Sequence, residues 1–163
     1  MNLSGLIERN AAFAPDKPAL RFEGETWSYA AFASRIEQAA AALKSELGIG
    51  KGDRVAILSL NRPDYLVLLY ACARLGAILV PMNWRLAVAE QLFILSDAAA
   101  KVLMLEQAFS AVLPSLEKSL PQTAVVGLDF TPSSGASFDA LLAQGHGDGR
   151  SQHQETPVEN HGL

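Results

Sequence analysis

Apolar residues recur with helical spacing in the first part of the chain. From Leu3 to Ala14 and from Phe32 to Leu47 they fall three or four positions apart, which predicts two amphipathic helices. Between these helices, short apolar stretches flank Gly24 and predict a β-hairpin. Ser28 directly precedes the second helix, and its hydroxyl can cap that helix by accepting a hydrogen bond from a free backbone N–H.

The strands that follow are almost continuously apolar. The segments "RVAILSL", "AILVPMN", "KVLMLE" and "AVVGLD" lack the alternation of half-exposed strands and are typical of strands covered on both faces. Helical segments separate them, and a short helix is predicted at "SFDALLAQG". This order predicts an α/β fold, with a mostly parallel sheet and helices on both faces. We expect the inner strands to include three segments: Val55–Leu60, Ala77–Val80 and Lys101–Leu105.

One helix between these strands is apolar almost all round. Pro63 fits its first turn, where a missing N–H costs nothing, and Gly76 fits its C-terminal cap. We therefore expect Pro63–Leu75 to be buried against the sheet, with Leu69 in a dry core. Cys72 is the only cysteine, so no internal disulfide is possible, and it is expected to be a small buried hydrophobe.

The composition changes near residue 145. Residues 1–145 carry the apolar pattern, and we assign them to one domain. In residues 146–163 the only aliphatic side chains are Val158 and Leu163, too few to build a core. We expect this stretch to be a flexible polar tail.

Composition and charge exclude several classes of function. The net charge is -4, the pI is near 5.3 and no run of Lys and Arg occurs, so we expect neither a nucleic-acid partner nor an electrostatic membrane anchor. No stretch reaches the roughly 18 apolar residues that a membrane span requires. The N-terminus does not resemble a secretory signal, and we expect a soluble, cytoplasmic protein.

Two groups of residues suggest ligand binding, but their context argues against it. Gly48, Gly50 and Gly52 alternate after a helix and before a strand, whereas a phosphate-binding loop follows a strand and opens a helix, so we expect a turn. The three histidines all lie in the polar tail: His146, His153 and His161. Nothing there would hold metal ligands or a catalytic histidine in place, and we assign no metal site and no catalytic set.

The segment "GAILVPMNWRLAVAEQLFILSD" is predicted to form a strand, a turn and a helix. Pro81 ends the strand, Asn83 can support the turn, and Arg85 can pair with Glu90 or with a neighbouring carboxylate. Taken alone, these residues indicate a structural connector.

The order of several short motifs resembles the N-terminal part of the adenylate-forming enzymes, the AMP-dependent synthetases and ligases. The aromatic-Ser-Tyr sequence at Trp27–Tyr29 resembles the first core motif of this family. Apart from this resemblance, we expect Trp27 and Tyr29 to be packing residues. "ARLGAILVPMN", from Ala73 to Asn83, resembles the second. The arrangement from Asn83 to Glu90 is similar to the acyl- and aryl-CoA ligase branch. The resemblance runs from about residue 3 to about residue 145.

The resemblance implies an ATP-dependent acid–CoA ligase. Such enzymes use ATP and Mg²⁺ to convert a carboxylic acid, here expected to be a fatty acid, to an acyl-adenylate, and they then transfer the acyl group to coenzyme A. Four elements of the family's active site have no match in this sequence. They are the phosphate loop, the Thr-Glu pair that binds Mg²⁺, the Asp that binds the ribose, and the C-terminal lid with its catalytic lysine. We therefore interpret the chain as a fragment that is inactive alone. We assign it no catalytic, cofactor-binding or metal-binding residue.

A second hypothesis is a stand-alone α/β module that binds a ligand or a partner without catalysis. Under the fragment hypothesis the expected partner is the remainder of the synthetase. A second copy of the chain is a possible partner under either hypothesis, because many members of the family pair through their N-terminal regions.

Overall fold

The computed structural model describes residues 3–144, so the predicted tail and its three histidines lie outside the described residues. The strands are β1 Pro18–Phe22, β2 Glu25–Ser28, β3 Arg54–Leu58, β4 Ile78–Pro81, β5 Val102–Leu105, β6 Ala124–Gly127 and β7 Ala136–Ser137. The α-helices are α1 Ser4–Phe13, α2 Tyr29–Ser45, α3 Pro63–Leu75, α4 Val88–Asp97, α5 Leu113–Ser119 and α6 Phe138–Gln144. A 3₁₀-helix, Gln107–Val112, precedes α5.

Two sheets form, as the sequence pattern predicts. Strands β1 and β2 make an antiparallel hairpin, and the other five strands make a parallel sheet in the order β4-β3-β5-β6-β7. Helices cover both faces of the parallel sheet, which confirms the predicted fold class. Strand β7 was not predicted, because two residues are too short to show a pattern.

The placement of β4 corrects one prediction. Ala77–Val80 was expected to lie in an inner strand, but β4 is an edge strand and Ile78 is 52% exposed. After β4 the chain crosses back over β3 to its other side and forms β5 there, so one edge of β4 pairs with no other strand of residues 3–144. The other two predicted inner strands, β3 and β5, are indeed inner.

Two hydrophobic cores lie on opposite faces of the sheet. The first core includes apolar side chains of α1, α2, α3 and α6, and the second includes those of α4, the 3₁₀-helix and α5. Neighbouring residues of β3 alternate between the cores, with Ile57 in the first and Leu58 in the second. Each inner strand is therefore buried on both faces, which explains its continuous apolar sequence.

Helix α3 is less buried than its composition predicts. Val67 and Leu68 are fully buried, but Leu69 is only half-buried and Leu66 is 37% exposed. The prediction that Leu69 lies in a dry core is therefore wrong. Periodicity could not place the buried stripe, because almost every position of this helix is apolar.

The predicted helix ends are confirmed. Ser28 Oγ accepts a hydrogen bond from the Ala31 N–H at 3.2 Å, and Pro63 occupies the first turn of α3. Gly76 ends α3 at a φ of 69°, in the left-handed region that favours glycine. None of the helices described between residues 3 and 144 is both long enough and apolar enough to cross a membrane.

Candidate functional site

The carboxyl ends of β3 and β5 form the point at which this sheet would be expected to bind a ligand. Helix α3 follows β3 and packs in the first core, whereas the 3₁₀-helix and α5 follow β5 and pack in the second. The connections therefore leave two adjacent parallel strands toward opposite faces. In open α/β sheets, ligands bind in the crevice that this divergence creates.

Protein groups bridge this crevice. The Leu60 N–H, in the loop after β3, donates a hydrogen bond to Glu106 Oε2 at 2.7 Å, directly after β5. The neighbouring Ser59 is buried, and its hydroxyl donates to the Leu60 carbonyl at 2.9 Å. A direct hydrogen bond therefore joins the segments that follow the two strands.

Ion pairs continue this network along the edge of the sheet. Arg62 Nε donates to Asp64 Oδ2 at 2.8 Å, and Arg62 Nη1 lies 3.6 Å from Asp129 Oδ2. Asp129, which follows β6, also accepts a hydrogen bond from the Gln107 N–H at 2.8 Å. Asp64 is buried in the first turn of α3, where the positive end of the helix dipole stabilises a carboxylate.

Arg35 extends the network from α2 to α6. Its Nη2 donates to Asp139 Oδ1 at 2.7 Å and lies 3.8 Å from Asp64 Oδ1. Its guanidinium also lies over the Phe138 ring, 5.6 Å from the ring centre. Its Nε is buried and has no hydrogen-bond partner among the described residues. Asp64 therefore lies between two guanidinium groups that come from different elements.

Two clefts border the network. One, of about 300 Å³, is lined by Glu23 and Glu25 of the hairpin and by Arg35 and Arg62, among others. The second, of about 270 Å³, is mainly apolar and is lined by Leu20, Arg21, Phe22, Asn61, Arg62, Pro63, Tyr65 and Leu66. Burial raises the pKa of the Tyr65 hydroxyl, which lines this second cleft.

The carboxylates of the network at the carboxyl edge are held in ion pairs, and the single thiol of the chain is buried. The carboxylates of Asp64, Asp129 and Asp139 are paired with arginines, and no histidine lies among residues 3–144. The single thiol, Cys72, lies inside α3, and burial raises its pKa to about 12. A thiol that stays protonated to this pH is a poor nucleophile.

The glycine-rich segment forms a turn, as predicted. The Gly50 N–H donates to Asp53 Oδ2 at 2.9 Å, and the Gly52 N–H donates to the Gly76 carbonyl at 2.9 Å. The Lys101 ammonium hydrogen-bonds the same Asp53 carboxylate and, with the Gly50 N–H, lowers the pKa of that group. These glycines therefore connect α2 to β3 and do not open a helix.

The predicted connector is confirmed except for its ion pair. Asn83 Oδ1 accepts a hydrogen bond from the Arg85 N–H at 3.0 Å and so supports the turn. Outside the connector, Trp27 and Tyr29 pack against the first core, as predicted. Glu90 does not pair with Arg85, because its carboxylate accepts the Ala87 N–H at 2.8 Å and caps α4. The Arg85 guanidinium instead stacks on the indole ring of Trp84, 4.4 Å from the ring centre.

Local sequence patterns hardly indicated the ion-pair network. Arg35 and Asp139 are 104 positions apart, so no local spacing connects them. The one usable signal is position, since Arg62, Glu106 and Asp129 each closely follow an apolar strand. In a parallel sheet, residues at such positions meet at one edge.

Comparison with known proteins gives a consistent family assignment. A family model described as AMP-binding enzyme matches residues 7–161. An indoleacetate–CoA ligase of Aromatoleum aromaticum is 40% identical over 87% of this chain and 28% of its own length. A fatty acid–[acyl-carrier-protein] ligase of Streptomyces coeruleorubidus is 34% identical over 91% of the chain and 27% of its own length.

A solved structure agrees with these sequence relatives. It is assigned to a long-chain-fatty-acid CoA ligase of Rhodopseudomonas palustris and is 32% identical to this chain in sequence. The two structures superpose with a TM-score of 0.81 over 86% of this chain and 36% of the ligase chain. The chain thus spans roughly a third or less of the lengths of these relatives and corresponds to their N-terminal subdomain. The motif order, the parallel sheet and these matches agree, and the chain belongs to the AMP-binding enzyme family of adenylate-forming ligases.

Proposed function

We propose that this chain is the N-terminal part of an acid–CoA ligase. The whole enzyme activates a carboxylic acid with ATP and Mg²⁺ to an acyl-adenylate, releases pyrophosphate, and transfers the acyl group to coenzyme A. The observation that carries the proposal is the family match, because it spans every strand of the parallel sheet. The enzyme works in the cytoplasm, where ATP and coenzyme A are both available.

Within such an enzyme, the described domain acts as a scaffold. Adenylation brings two anions together, so the phosphate charge must be neutralised by aligned donors, a metal ion and cationic side chains. At the carboxyl edge, Arg35 and Arg62 are already paired with aspartates. Within residues 3–144, no group of three or more side chains is arranged to hold a metal ion. We therefore expect the chain alone to be inactive.

The finer part of the proposal is that the acid is a fatty acid. Its support is the names of two relatives that act on fatty acids. The arrangement from Asn83 to Glu90 resembles the acyl- and aryl-CoA ligase branch as a whole and does not separate the two substrate classes. The indoleacetate–CoA ligase has the higher sequence identity of the two curated relatives, so aromatic acids are the competing substrate class. The proposed acceptor is coenzyme A, and a carrier protein is the competing acceptor.

The first test measures pyrophosphate release by the purified chain. ATP, Mg²⁺ and coenzyme A are supplied with a panel of short, medium and long-chain acids and aromatic acids. We expect no acid-dependent release above that of a boiled control. Release that survives removal of host synthetases would contradict the proposal that the chain is inactive alone.

The second test asks whether the domain supports catalysis in a complete ligase. In a chimera, this chain replaces the 142 matched residues of the A. aromaticum enzyme. We expect the chimera to form indoleacetyl-CoA, and a chimera that also carries Gly127→Ala to lose this activity with its folded domain. A cooperative unfolding transition would show that the chimera is folded. A folded chimera that activates no acid would favour the hypothesis that the chain is a stand-alone module.

The chimera cannot report the natural acid, because most of its sequence comes from the other enzyme. The substrate class is therefore read from the panel with the chain joined to the sequence that follows it in its own gene. Release with long-chain acids supports the fatty-acid proposal, and release with aromatic acids alone contradicts it.

A further inference from the structure

An open apolar surface lies between the hairpin and the start of α3. It belongs to the smaller, mainly apolar cleft beside the ion-pair network, which we call the β1–α3 cleft because residues of β1 and of the first turns of α3 line it. Phe22 and Leu66, two of these residues, are each 37% exposed. A mainly apolar cleft with a few polar groups is the usual form of a small-molecule site.

Three polar side chains of the β1–α3 cleft are free to bind a ligand. They are Arg21, Asn61 and Tyr65. None of these side chains forms a hydrogen bond or an ion pair with another group of residues 3–144. All three can donate hydrogen bonds, and a guanidinium can only donate. The free polar groups of the cleft therefore suit a ligand that accepts hydrogen bonds.

The charge of the lining favours an anion. Among the described residues, no aspartate or glutamate lines the β1–α3 cleft, whereas Glu23 and Glu25 line the neighbouring cleft. Arg62 also lines the β1–α3 cleft, but it is already paired with Asp64. Arg21 therefore carries the positive charge that no carboxylate offsets by contact. Hydrogen bonds between a guanidinium and a carboxylate are about twice as strong as those between neutral groups.

The size and polarity of the cleft limit the kind of anion. Its volume of about 270 Å³ lies just below the range of about 300–1,000 Å³ that is common for pockets of drug-sized ligands. The cleft therefore suits the apolar body of a medium-chain or single-ring acid and not the whole of a long chain. An inorganic phosphate would leave the apolar lining without a partner.

We propose that the β1–α3 cleft binds a small carboxylic acid. The apolar body of the acid lies against Phe22, Pro63 and Leu66, and its carboxylate accepts hydrogen bonds from the Arg21 guanidinium. Binding at this site needs neither ATP nor the adenylation elements that have no match in this sequence. The inference therefore goes beyond the proposed function and does not depend on the ligase activity.

Isothermal titration calorimetry of the purified chain tests the proposal, with octanoate as the probe. We expect saturable binding of one octanoate per chain. Octan-1-ol has an apolar chain of the same length without the charge, and it should bind at least about tenfold more weakly because it lacks the charge-assisted hydrogen bonds. Butyrate keeps the charge but buries less apolar surface, and it should also bind at least about tenfold more weakly.

A charge variant tests the role of Arg21. Arg21→Gln removes the guanidinium from an exposed position and should weaken octanoate binding about tenfold. The matched control is Arg85→Gln, which changes the net charge by the same amount in the connector before α4, outside the cleft. It should leave octanoate binding unchanged.

A second pair of variants tests the apolar part of the site. Leu66→Asp places a carboxylate in the lining of the cleft and should abolish measurable octanoate binding. The matched control is Phe13→Asp, because Phe13 is 89% exposed on α1 and does not line the cleft. Circular dichroism and a melting curve for each variant separate loss of binding from loss of fold.

Three results would overturn the proposal. They are the absence of saturable octanoate binding, binding of octan-1-ol as tight as that of octanoate, and equal effects of Arg21→Gln and Arg85→Gln. Because the readout is heat of binding and not pyrophosphate release, its failure is distinct from failure of the ligase proposal.

The same titration on a longer protein tests whether later parts of the enzyme fill the cleft. The chain is joined to the sequence that follows it in its own gene, and octanoate binding is compared with and without Arg21→Gln. We expect the longer protein to keep a component of binding that Arg21→Gln weakens about tenfold. If Arg21→Gln changes nothing there, the cleft is covered by the enzyme itself and is not a ligand site.

Discussion

Arg62 donates a hydrogen bond from its Nε to Asp64 Oδ2 at 2.8 Å, within the first turn of α3. The same carboxylate group lies 3.8 Å from the Arg35 guanidinium of α2. Only 11% of the Asp64 side chain is exposed. Asp64 therefore links two arginines from different elements, and Asp139 and Asp129 supply further negative charge to Arg35 and Arg62.

We predict that Asp64→Asn lowers the free energy of unfolding by about 2 kcal/mol, because it removes the buried carboxylate that lies between the Arg35 and Arg62 guanidinium groups. Urea denaturation measures this change. The matched control is Asp139→Asn, since Asp139 is paired with Arg35 but its side chain is 77% exposed. Its loss should cost less than about 1 kcal/mol. Equal losses for the two variants would show that burial does not determine the role of Asp64.

Two leucines of α3 offer a matched test of the core. We predict that Leu68→Ala lowers the free energy of unfolding by about 3 kcal/mol, because Leu68 is fully buried in the first core and its truncation leaves a cavity. Leu66→Ala, at a position that is 37% exposed, should cost less than half as much. Thermal or urea unfolding measures both. A larger effect at Leu66 would refute the assignment of the buried stripe.

Gly127, at the end of β6, has no room for a side chain. A Cβ atom there would lie 2.1 Å from the Phe130 carbonyl oxygen, so Gly127→Ala must displace the backbone. We predict a loss of about 3 kcal/mol in unfolding free energy. Gly5→Ala is the control, since a Cβ at Gly5 meets nothing within 4 Å and alanine is the better helix former. It should leave the melting temperature unchanged or raise it, and a drop as large as that of Gly127→Ala would be evidence against this steric explanation.

The buried thiol of Cys72 predicts a loss of stability at alkaline pH. Its pKa is raised by burial from 9.0 to about 12, so above pH 9 the unfolded chain loses this proton while the folded chain keeps it. The contribution is fully present below pH 9 and is lost as the pH rises toward 12. Near the middle of this range the slope approaches about 1.4 kcal/mol per pH unit.

Urea denaturation of the wild type and of Cys72→Ala at several pH values between 8 and 11 measures this contribution. Lysines and tyrosines titrate in the same range, so the difference between the two proteins is the relevant quantity. We expect the stability difference to shrink as the pH rises. Parallel curves for the two proteins would rule out a raised thiol pKa.

Much of the fold could be predicted from local sequence. The cap at Ser28, the left-handed residue Gly76 and the proline at the start of α3 are properties of a few adjacent residues, and all three are confirmed. The continuous apolar strands likewise predicted a parallel sheet covered on both faces. The motif from Ala73 to Asn83 indicated the family, because its order relative to the other motifs is retained along the chain.

The tertiary structure alone decided which apolar residues are buried and which charges meet. The sequences of β4 and β3 are similarly apolar, yet β4 lies at an edge of the sheet formed by residues 3–144 and β3 lies inside it, because the direction of a crossover connection is not encoded in a strand's own residues. Leu68 is buried and Leu69 only half-buried because the rotation of α3 about its axis depends on the neighbours against which it packs. Arg35 reaches Asp139 across 104 positions only because both α2 and α6 pack on the same face of the sheet, and no pattern local to either helix specifies that contact.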